Sequence, residues 1–327
     1  MIPRTIDWKN ALANAIRDPA ELLALLELPR RLLPAAREAA RSFPLLVPRG
    51  YAALMARGDP ADPLLRQVLP LQREQEKAPG YSLDPVGDRA SSPGPGVLHK
   101  YRGRILLLAT GGCAINCRYC FRRHYPYQGA GGGRWQGALE YIAADETIEE
   151  VILSGGDPLL VDDTRLADLA ERLGEIPHVR RLRIHSRMPV VLPERVDAAL
   201  LGWLARARPR PVLVLHVNHP NELGAEAATA IGRLRAAGLA LFNQSVLLHG
   251  VNDDADALCR LSEALFELGV VPYYLHLLDR VAGAAHFEPP AAEAEALYEA
   301  MRRRLPGYLV PRLVREQAGA PYKLLAC

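Results

Sequence analysis

The chain has 327 residues, of which 49% are hydrophobic and 24% are charged, a composition typical of a globular protein with a large core. Acidic and basic residues are mixed along the chain and the formal net charge is only +3, which argues against a nucleic-acid-binding surface. The first residues lack the apolar stretch of a signal peptide, and no segment approaches the ~18 apolar residues of a membrane helix. We therefore expect a cytoplasmic protein that binds neither nucleic acid nor membranes.

Residues 1–95 differ in pattern from the rest of the chain and are expected to form a helical N-terminal region. Stretches 7–28 and 34–42 repeat apolar residues at helical spacing, among many prolines,. Residues 82–96 have the sequence SLDPVGDRASSPGPG, which is typical of a loop or linker.

From about residue 100, runs rich in Val, Ile and Leu alternate with amphipathic helical stretches. This pattern indicates βα units around a buried parallel sheet. The six runs begin at Arg104, Val151, Arg181, Pro211, Leu239 and Val270. Six units are fewer than the eight of a closed barrel, so an open six-unit partial barrel and a doubly wound sheet both fit. We place this α/β core at residues 96–288 and a C-terminal helix with a terminal segment at residues 289–327.

Unusual polar residues follow each predicted strand, where active sites form in parallel α/β folds. After the first run comes a cysteine-rich segment, and the later runs carry SGGDP (154–158), HSR (185–187), HVNHPNE (216–222), NQS (243–245) and Asp279. Caps and turns also favour Asp, Asn and Ser. Such residues after all six strands nevertheless favour an active site at one rim.

The segment GGCAINCRYCFRRHYPY (111–127) holds three of the five cysteines, with the spacing C-x3-C-x2-C. With His124, the three cysteines Cys113, Cys117 and Cys120 can supply the four ligands of a zinc site. Alternatively, three thiolates can hold a [4Fe–4S] cluster and leave one iron open to a substrate.

The other two cysteines are expected to have different roles. Cys259 lies in a helical pattern and is expected in the core, and Cys327 has no evident role.

Only four of the 40 basic residues are lysines: Lys9, Lys77, Lys100 and Lys323. A lysine in so arginine-rich a chain raises the question of whether a primary amine is needed there.

The cysteine spacing, with the aromatic Tyr119 before the last cysteine and a preceding strand, resembles the signature of the radical S-adenosylmethionine enzymes. The resemblance implies a six-unit partial barrel and a [4Fe–4S] cluster bound by the three cysteines, whose open iron binds S-adenosylmethionine. It places Tyr119 against the adenine. It also matches SGGDP to the glycine-rich segment that receives the amino group of this cofactor, namely Ser154, Gly155, Gly156 and Asp157.

Further motifs resemble the lysine 2,3-aminomutase family, in particular the bacterial branch that acts in the beta-lysylation of elongation factor P. These motifs are HKYRGRILLL, VILSGGDPLL, RIHSRMPVVLPERV, HVNHPNEL, NQSVLLHGVND, PYYLHLLD and, for the branch, DPLLRQVLP. The resemblance covers residues 60–323 and implies pyridoxal phosphate as a second cofactor, bound by Lys323 as a Schiff base. The family usually continues Lys-Thr-Pro, whereas this chain has Lys-Leu-Leu.

The same resemblance implies roles for the remaining site residues. Lys100 and Arg104 match positions that hold the pyridoxal phosphate group. His216 and Gln244 match positions near S-adenosylmethionine. For the substrate, the matching residues are Arg122 at the carboxylate and Asp279 and Glu316 at the ε-ammonium.

The implied reaction is a 1,2-amino shift that converts L-α-lysine into β-lysine of R configuration after a 5′-deoxyadenosyl radical removes a hydrogen. The implied partners are elongation factor P, its lysyl ligase, and a reductase or flavodoxin as electron donor, and the resemblance leaves room for a homo-oligomer. Three alternatives stay open. They are an aminomutase for another amino acid such as glutamate, a radical enzyme without pyridoxal phosphate, and a zinc-dependent structural or binding module.

Overall fold

Nine strands form one sheet, and their order in the sheet follows their order in the chain. The computed structural model describes residues 7–127 and 135–326. The strands are β1 (Val97–Tyr101), β2 (Arg104–Thr110), β3 (Glu150–Gly155), β4 (Arg181–Ser186), β5 (Pro211–Leu215), β6 (Ala240–Val246), β7 (Val270–His276), β8 (Arg312–Arg315) and β9 (Leu324–Leu325). Strands β2 to β8 are parallel to one another, whereas β1 and β9 lie antiparallel at the two ends.

The predicted α/β fold with six βα units is confirmed, because each strand from β2 to β7 is followed by helix. The sequential strand order excludes the doubly wound alternative, in which the order reverses,. Within the described residues β1 and β9 do not pair with each other, so the barrel is open. The parallel strand β8 was not predicted.

Twelve α-helices lie in the described parts of the chain. They are α1 (Trp8–Ala13), α2 (Pro19–Leu25), α3 (Leu33–Ser42), α4 (Arg49–Ala52), α5 (Pro63–Arg66), α6 (Gln136–Ala144), α7 (Asp163–Gly174), α8 (Met188–Val191), α9 (Ala198–Arg206), α10 (Ala225–Ala236), α11 (Ala255–Glu267) and α12 (Ala291–Arg304). Across residues 7–127 and 135–326, none of these helices has both the length and the apolar run needed to cross a membrane.

Acidic residues cap the beginnings of two barrel helices, α9 and α11. Asp197 accepts a bond from the backbone N–H of Leu200 at 2.9 Å before α9, and Asp254 accepts one from Ala257 at 2.9 Å before α11. Such caps satisfy N–H groups that the first helical turn leaves without partners. The buried faces of these helices form the main core together with the sheet.

Alternate residues of β4 separate this core from the barrel interior. Leu182 and Ile184 are fully buried, whereas Arg183 and His185 are partly buried and line an internal cavity. Successive side chains of a strand point to opposite faces of the sheet. The apolar set therefore packs outward on the helices, and the polar set faces the interior.

The N-terminal region packs against the cysteine-rich segment. The backbone N–H of Asn116 donates to the Leu46 carbonyl at 3.0 Å, and that of Arg118 donates to the Gln67 carbonyl at 2.8 Å. Residues 82–96, expected to be a loop or linker, carry a short 3-10 helix at Arg89–Ser91 and reach into the barrel interior. This segment therefore contributes to the site.

Candidate active site

A cavity of about 660 Å³ lies inside the barrel. All the site residues proposed from the sequence line it, namely Lys100, Arg104, Cys113, Cys117, Tyr119, Cys120, Arg122, Ser154, Gly155, Gly156, Asp157, His216, Gln244, Asp279, Glu316 and Lys323. The structure thus brings together residues of β1 to β3, β5 to β8 or the loops after them, and the C-terminal segment. Their individual roles stay predictions.

Two buried arginines of the cysteine-rich segment pair with one acid of the N-terminal region, Glu74. Arg118 Nε donates to Glu74 Oε1 at 2.8 Å, and Arg123 Nη2 donates to Glu74 Oε2 at 2.7 Å. Both guanidinium groups lie over the Phe43 ring, 4.8 and 4.6 Å from its centroid. Glu74 therefore holds the loop that carries the cysteines. The sequence analysis missed it because nothing local marks this acid as buried.

Burial and the neighbouring thiols disfavour ionisation of Cys113 and Cys120. Burial, and next the Cys120 thiol, raise the pKa of Cys113 well above its usual value. Burial, and next Cys117, raise the pKa of Cys120 to about 11. A bound metal group is what makes crowded thiols ionise, so this donor set fits a metal centre.

Cys113, Cys117 and Cys120 line the cavity, whereas His124 is not among the described residues that line it. A structural zinc site would need a fourth ligand beside the three cysteines. A [4Fe–4S] cluster instead takes one cysteine per iron. His124, the fourth ligand of the zinc alternative, has its Nε2 3.0 Å from the Ala282 carbonyl oxygen. Cys259 is buried in the core as predicted, and Cys327 lies outside the described residues.

The glycines at the end of β3 pack against the end of β2 and the start of the cysteine-rich segment. Gly155 has a φ of 113°, and a Cβ at this residue would lie 2.6 Å from the Thr110 carbonyl oxygen. A Cβ at Gly156 would lie 2.0 Å from the Gly112 carbonyl oxygen. The sequence analysis attributed these glycines to the close approach of a ligand, and the structure adds a different reason, the close approach of two backbone segments.

Asp157 joins the loops after β3 and β4. Its carboxylate accepts bonds from Ser186 Oγ at 2.7 Å and from the backbone N–H groups of Arg187 and Met188 at 2.8 and 3.2 Å. These contacts occupy both carboxylate oxygens. Asp157 therefore shapes the site by holding the glycine-rich loop in place.

Arg187 contacts one cysteine and the aromatic residue proposed for the adenine. Its Nη1 lies 2.7 Å from Cys117 Sγ and 2.8 Å from Tyr119 Oη, and its Nη2 pairs with Glu222 Oε2 at 2.7 Å. The sequence analysis noted the HSR pattern but gave Arg187 no role. The partners of Arg187 are far from it in the sequence, since Glu222 follows the next strand. No local pattern therefore indicates a role for Arg187.

Two lysines and one acid form a charged network at the C-terminal side of the cavity. Lys323 Nζ donates to Glu316 Oε2 at 2.6 Å, and Lys100 Nζ donates to Glu316 Oε1 at 3.0 Å. Burial opposes ionisation of Glu316, but the two lysines outweigh it and lower the pKa of this acid. By contrast, burial and the charge of Glu316 raise the pKa of Asp279 to about 7. The cavity thus contains two neighbouring acids that a bound cation would stabilise.

Arg122 joins the cysteine-rich segment to residues 82–96, here called the turn-rich segment. Its Nε donates to Asp88 Oδ2 at 2.7 Å, and its guanidinium lies 4.6 Å from the Phe121 ring centroid. Asp88 also lines the cavity, and the sequence analysis missed it. Asp88 lies in a Pro- and Gly-rich stretch, and such a sequence predicts an exposed turn residue.

Two histidines on adjacent strands touch inside the cavity. His185 Nδ1 and His216 Nε2 are 3.2 Å apart. Burial lowers the pKa of His185 well below its usual value and that of His216 to about 3, so burial favours the neutral form of both rings. Near it, Gln244 follows an irregularity in the β6–β7 register, a feature common beside active sites. The sequence analysis placed His185 at the predicted rim without giving it a role, and it did not name His276, which also lines the cavity.

The groups around Lys323 fit a phosphate-bearing aldehyde cofactor. Lys323 offers the primary amine that such a cofactor requires, and Lys100 and Arg104 offer cations in the same cavity. The Arg104 guanidinium lies 4.6 Å from the Tyr101 ring centroid, so aromatic surface is also present.

Comparison with known proteins gives the same family. A model of the radical SAM superfamily matches residues 107–261. The chain is 50% identical over 324 residues to L-lysine 2,3-aminomutase of Escherichia coli (strain K12), covering 98% of this chain and 94% of that protein. It is 49% identical over 321 residues to L-lysine 2,3-aminomutase of Haemophilus influenzae, covering 98% and 95%. It is 36% identical over 316 residues to L-lysine 2,3-aminomutase of Clostridium subterminale, covering 96% and 76%.

A solved structure supports the fold. Streptococcus suis SuiB bound to S-adenosylmethionine matches with a TM-score of 0.50 and 13% identity, over 66% of this chain and 51% of that chain. The sequence relatives cover nearly the whole chain at well above 30% identity. The chain belongs to the L-lysine 2,3-aminomutase family of radical S-adenosylmethionine enzymes.

Proposed function

We propose that the protein converts L-α-lysine into β-lysine. The observation that carries the proposal is the charge arrangement of one cavity, in which Arg122 can bind a carboxylate while Asp279 and Glu316 can bind an ammonium. Family membership makes the protein an isomerase that uses a [4Fe–4S] cluster, S-adenosylmethionine and pyridoxal phosphate, as predicted.

The residues present fit these three groups. Cys113, Cys117 and Cys120 would hold the cluster, and Lys323 would hold pyridoxal phosphate, with Lys100 and Arg104 at its phosphate. S-Adenosylmethionine would lie beside the residues matched to it, namely Tyr119, Ser154, Gly155, Gly156, Asp157, His216 and Gln244. When bound, the cluster and S-adenosylmethionine supply a carbon radical that removes hydrogen, and pyridoxal phosphate supplies the conjugated system through which an amino group moves.

The protein's own residues hold the substrate at both ends. The Arg122 guanidinium fixes the carboxylate, and Asp279 takes the ε-ammonium. Two anchors fix the orientation of the carbons between them, which lowers the entropic cost of the reaction. The buried cavity also keeps water away from reactive carbon centres.

Glu316 has two successive tasks in this proposal. In the structure it orients the Lys323 amine at 2.6 Å and also pairs with Lys100. With pyridoxal phosphate held by Lys323, this side of Glu316 would be free to pair with the ε-ammonium. Glutamate as a substrate would instead bring a negative side chain toward two acids, which is unfavourable.

We further propose the physiological setting on the basis of sequence resemblance to the elongation factor P branch. The product is R-β-lysine, which the lysyl ligase attaches to elongation factor P. A reductase or flavodoxin supplies the electron, and the enzyme works in the cytoplasm, where thiols stay reduced. Assembly into a homo-oligomer is compatible with this setting.

An anaerobic turnover assay tests the proposed reaction. Reconstituted protein receives L-lysine, S-adenosylmethionine, pyridoxal phosphate and a strong reductant, and mass spectrometry should detect β-lysine. The Cys120→Ala variant should make none, whereas Cys259→Ala, which alters a buried core thiol, should stay active. Formation of 5′-deoxyadenosine without β-lysine would reject lysine as substrate. Neither product, from protein with a full cluster, would reject the radical mechanism.

A further inference from the structure

Asp88 enters the barrel cavity from the turn-rich segment before β1. The residue is 1% exposed, and a buried carboxylate is costly unless it is paired. Its Oδ2 accepts a bond from Arg122 Nε at 2.7 Å, and its Oδ1 lies 2.5 Å from Lys100 Nζ. Oδ1 and the Lys100 ammonium therefore form a buried ion pair.

Asp88 is a fixed negative charge between two cations. Burial opposes its ionisation, but Arg122 and Lys100 outweigh burial and lower the pKa of this acid. The backbone around it is also held in place. The Asp88 N–H donates to Asp84 Oδ1 at 2.8 Å, and Lys100 Nζ donates to the Val86 carbonyl at 2.8 Å.

The contact with Asp88 uses only one edge of the Arg122 guanidinium. The two terminal nitrogens form the fork that binds a carboxylate through parallel bonds. In the described structure one of them, Nη1, reaches only Ser154 Oγ, at a long 3.4 Å. Bonding at Nε therefore fixes the side chain while the fork stays available to a ligand in the cavity.

We propose that Asp88 is a positioning residue that aims the Arg122 fork at the substrate carboxylate. This inference deepens the proposed function and rests on it, because it takes an α-amino acid as the ligand. Asp88 does not touch the substrate in this proposal. It acts through Arg122, and its second cation, Lys100, keeps it ionised.

Replacing the charge tests the proposal. Asp88→Asn keeps the size of the side chain but weakens the bond to Nε, so the dissociation constant for L-lysine should rise roughly tenfold or more. L-Lysinamide has no carboxylate, so its affinity should change less than about twofold by the same reasoning. Asp88→Glu restores the charge and should recover most of the lysine affinity.

The measurement is anaerobic calorimetry of each ligand with cluster- and pyridoxal phosphate-loaded protein. Asp168→Asn, at an exposed position on α7, serves as the control, and iron content and thermal midpoint report on folding. Equal losses for L-lysine and L-lysinamide, or no loss for either, would overturn the role of Asp88. If Asp88→Asn does not fold, failure of Asp88→Glu to bind L-lysine would overturn it. Absence of L-lysine binding by the wild-type protein would instead overturn the proposed function.

Discussion

Binding of L-lysine should depend on pH through Asp279. Burial, and next Glu316, raise the pKa of this acid to about 7, and Lys323, Lys100 and Arg122 oppose the shift. An ammonium group needs the ionised carboxylate, so only the ionised fraction of the protein is competent. For a pKa of about 7, that fraction is about nine tenths at pH 8, one half at pH 7 and one tenth at pH 6.

The apparent dissociation constant varies as the inverse of the competent fraction. It should therefore rise about tenfold for L-lysine between pH 8 and pH 6. Binding should also release close to one proton near pH 6 and almost none at pH 8. Calorimetry in buffers of different ionisation enthalpy measures both quantities on the same sample.

Two controls separate Asp279 from other titrating groups. Asp279→Asn should remove the pH step and weaken L-lysine binding by about 3 kcal/mol or more, because the ligand's ammonium loses its buried partner. Asp168→Asn, on the exposed face of α7, should keep the step. L-Norleucine, which lacks the ε-ammonium, should bind equally at pH 6 and pH 8. A tenfold step that survives in Asp279→Asn would refute the assignment.

Three further substitutions test other parts of the site. Lys323→Ala should abolish the absorbance of bound pyridoxal phosphate and the borohydride-trapped peptide, and retention of both would contradict the role of Lys323. Cys120→Ala should lose cluster iron yet still bind pyridoxal phosphate, and full iron content would contradict the ligand assignment. Glu74→Gln leaves two buried arginines without their carboxylate, so the free energy of unfolding in denaturant should fall by about 3–5 kcal/mol. Glu38→Gln, at an exposed pair, should change it by less than about 1 kcal/mol, and equal effects would contradict the argument.

The barrel was predictable because its signals are local. Buried parallel strands show as continuous apolar runs, and β4 (Arg181–Ser186) coincides with the predicted run. The site was predictable where residues follow strands, since the carboxyl ends of parallel strands meet at one rim. Resemblance supplied the rest of the proposed roles. It gave residue types at matched positions, but not the partners that orient them.

The residues that the sequence analysis missed act through contacts between distant segments. Glu74 and Asp88 both lie before the barrel, yet each pairs with an arginine of the cysteine-rich segment. Arg187 follows β4 and contacts Cys117. Such pairs produce no periodicity or characteristic spacing in the sequence, because the tertiary fold determines which charged side chains are buried. They nevertheless fix the geometry of the residues expected to bind ligands.

The sequence around Lys323 departs from the family's usual motif, but strand pairing still positions the lysine. The Lys-Leu-Leu sequence replaces the family's usual Lys-Thr-Pro, yet Leu324 and Leu325 form β9 and pair with Arg315 and Val314 of β8. Proline cannot donate to such a ladder, whereas leucine can. The antiparallel register places Lys323 opposite Glu316, and a slip of one residue would turn its side chain to the other face. Strand pairing therefore accounts for the 2.6 Å contact between Lys323 and Glu316, and for how a lysine so near the end of the sequence reaches the interior cavity.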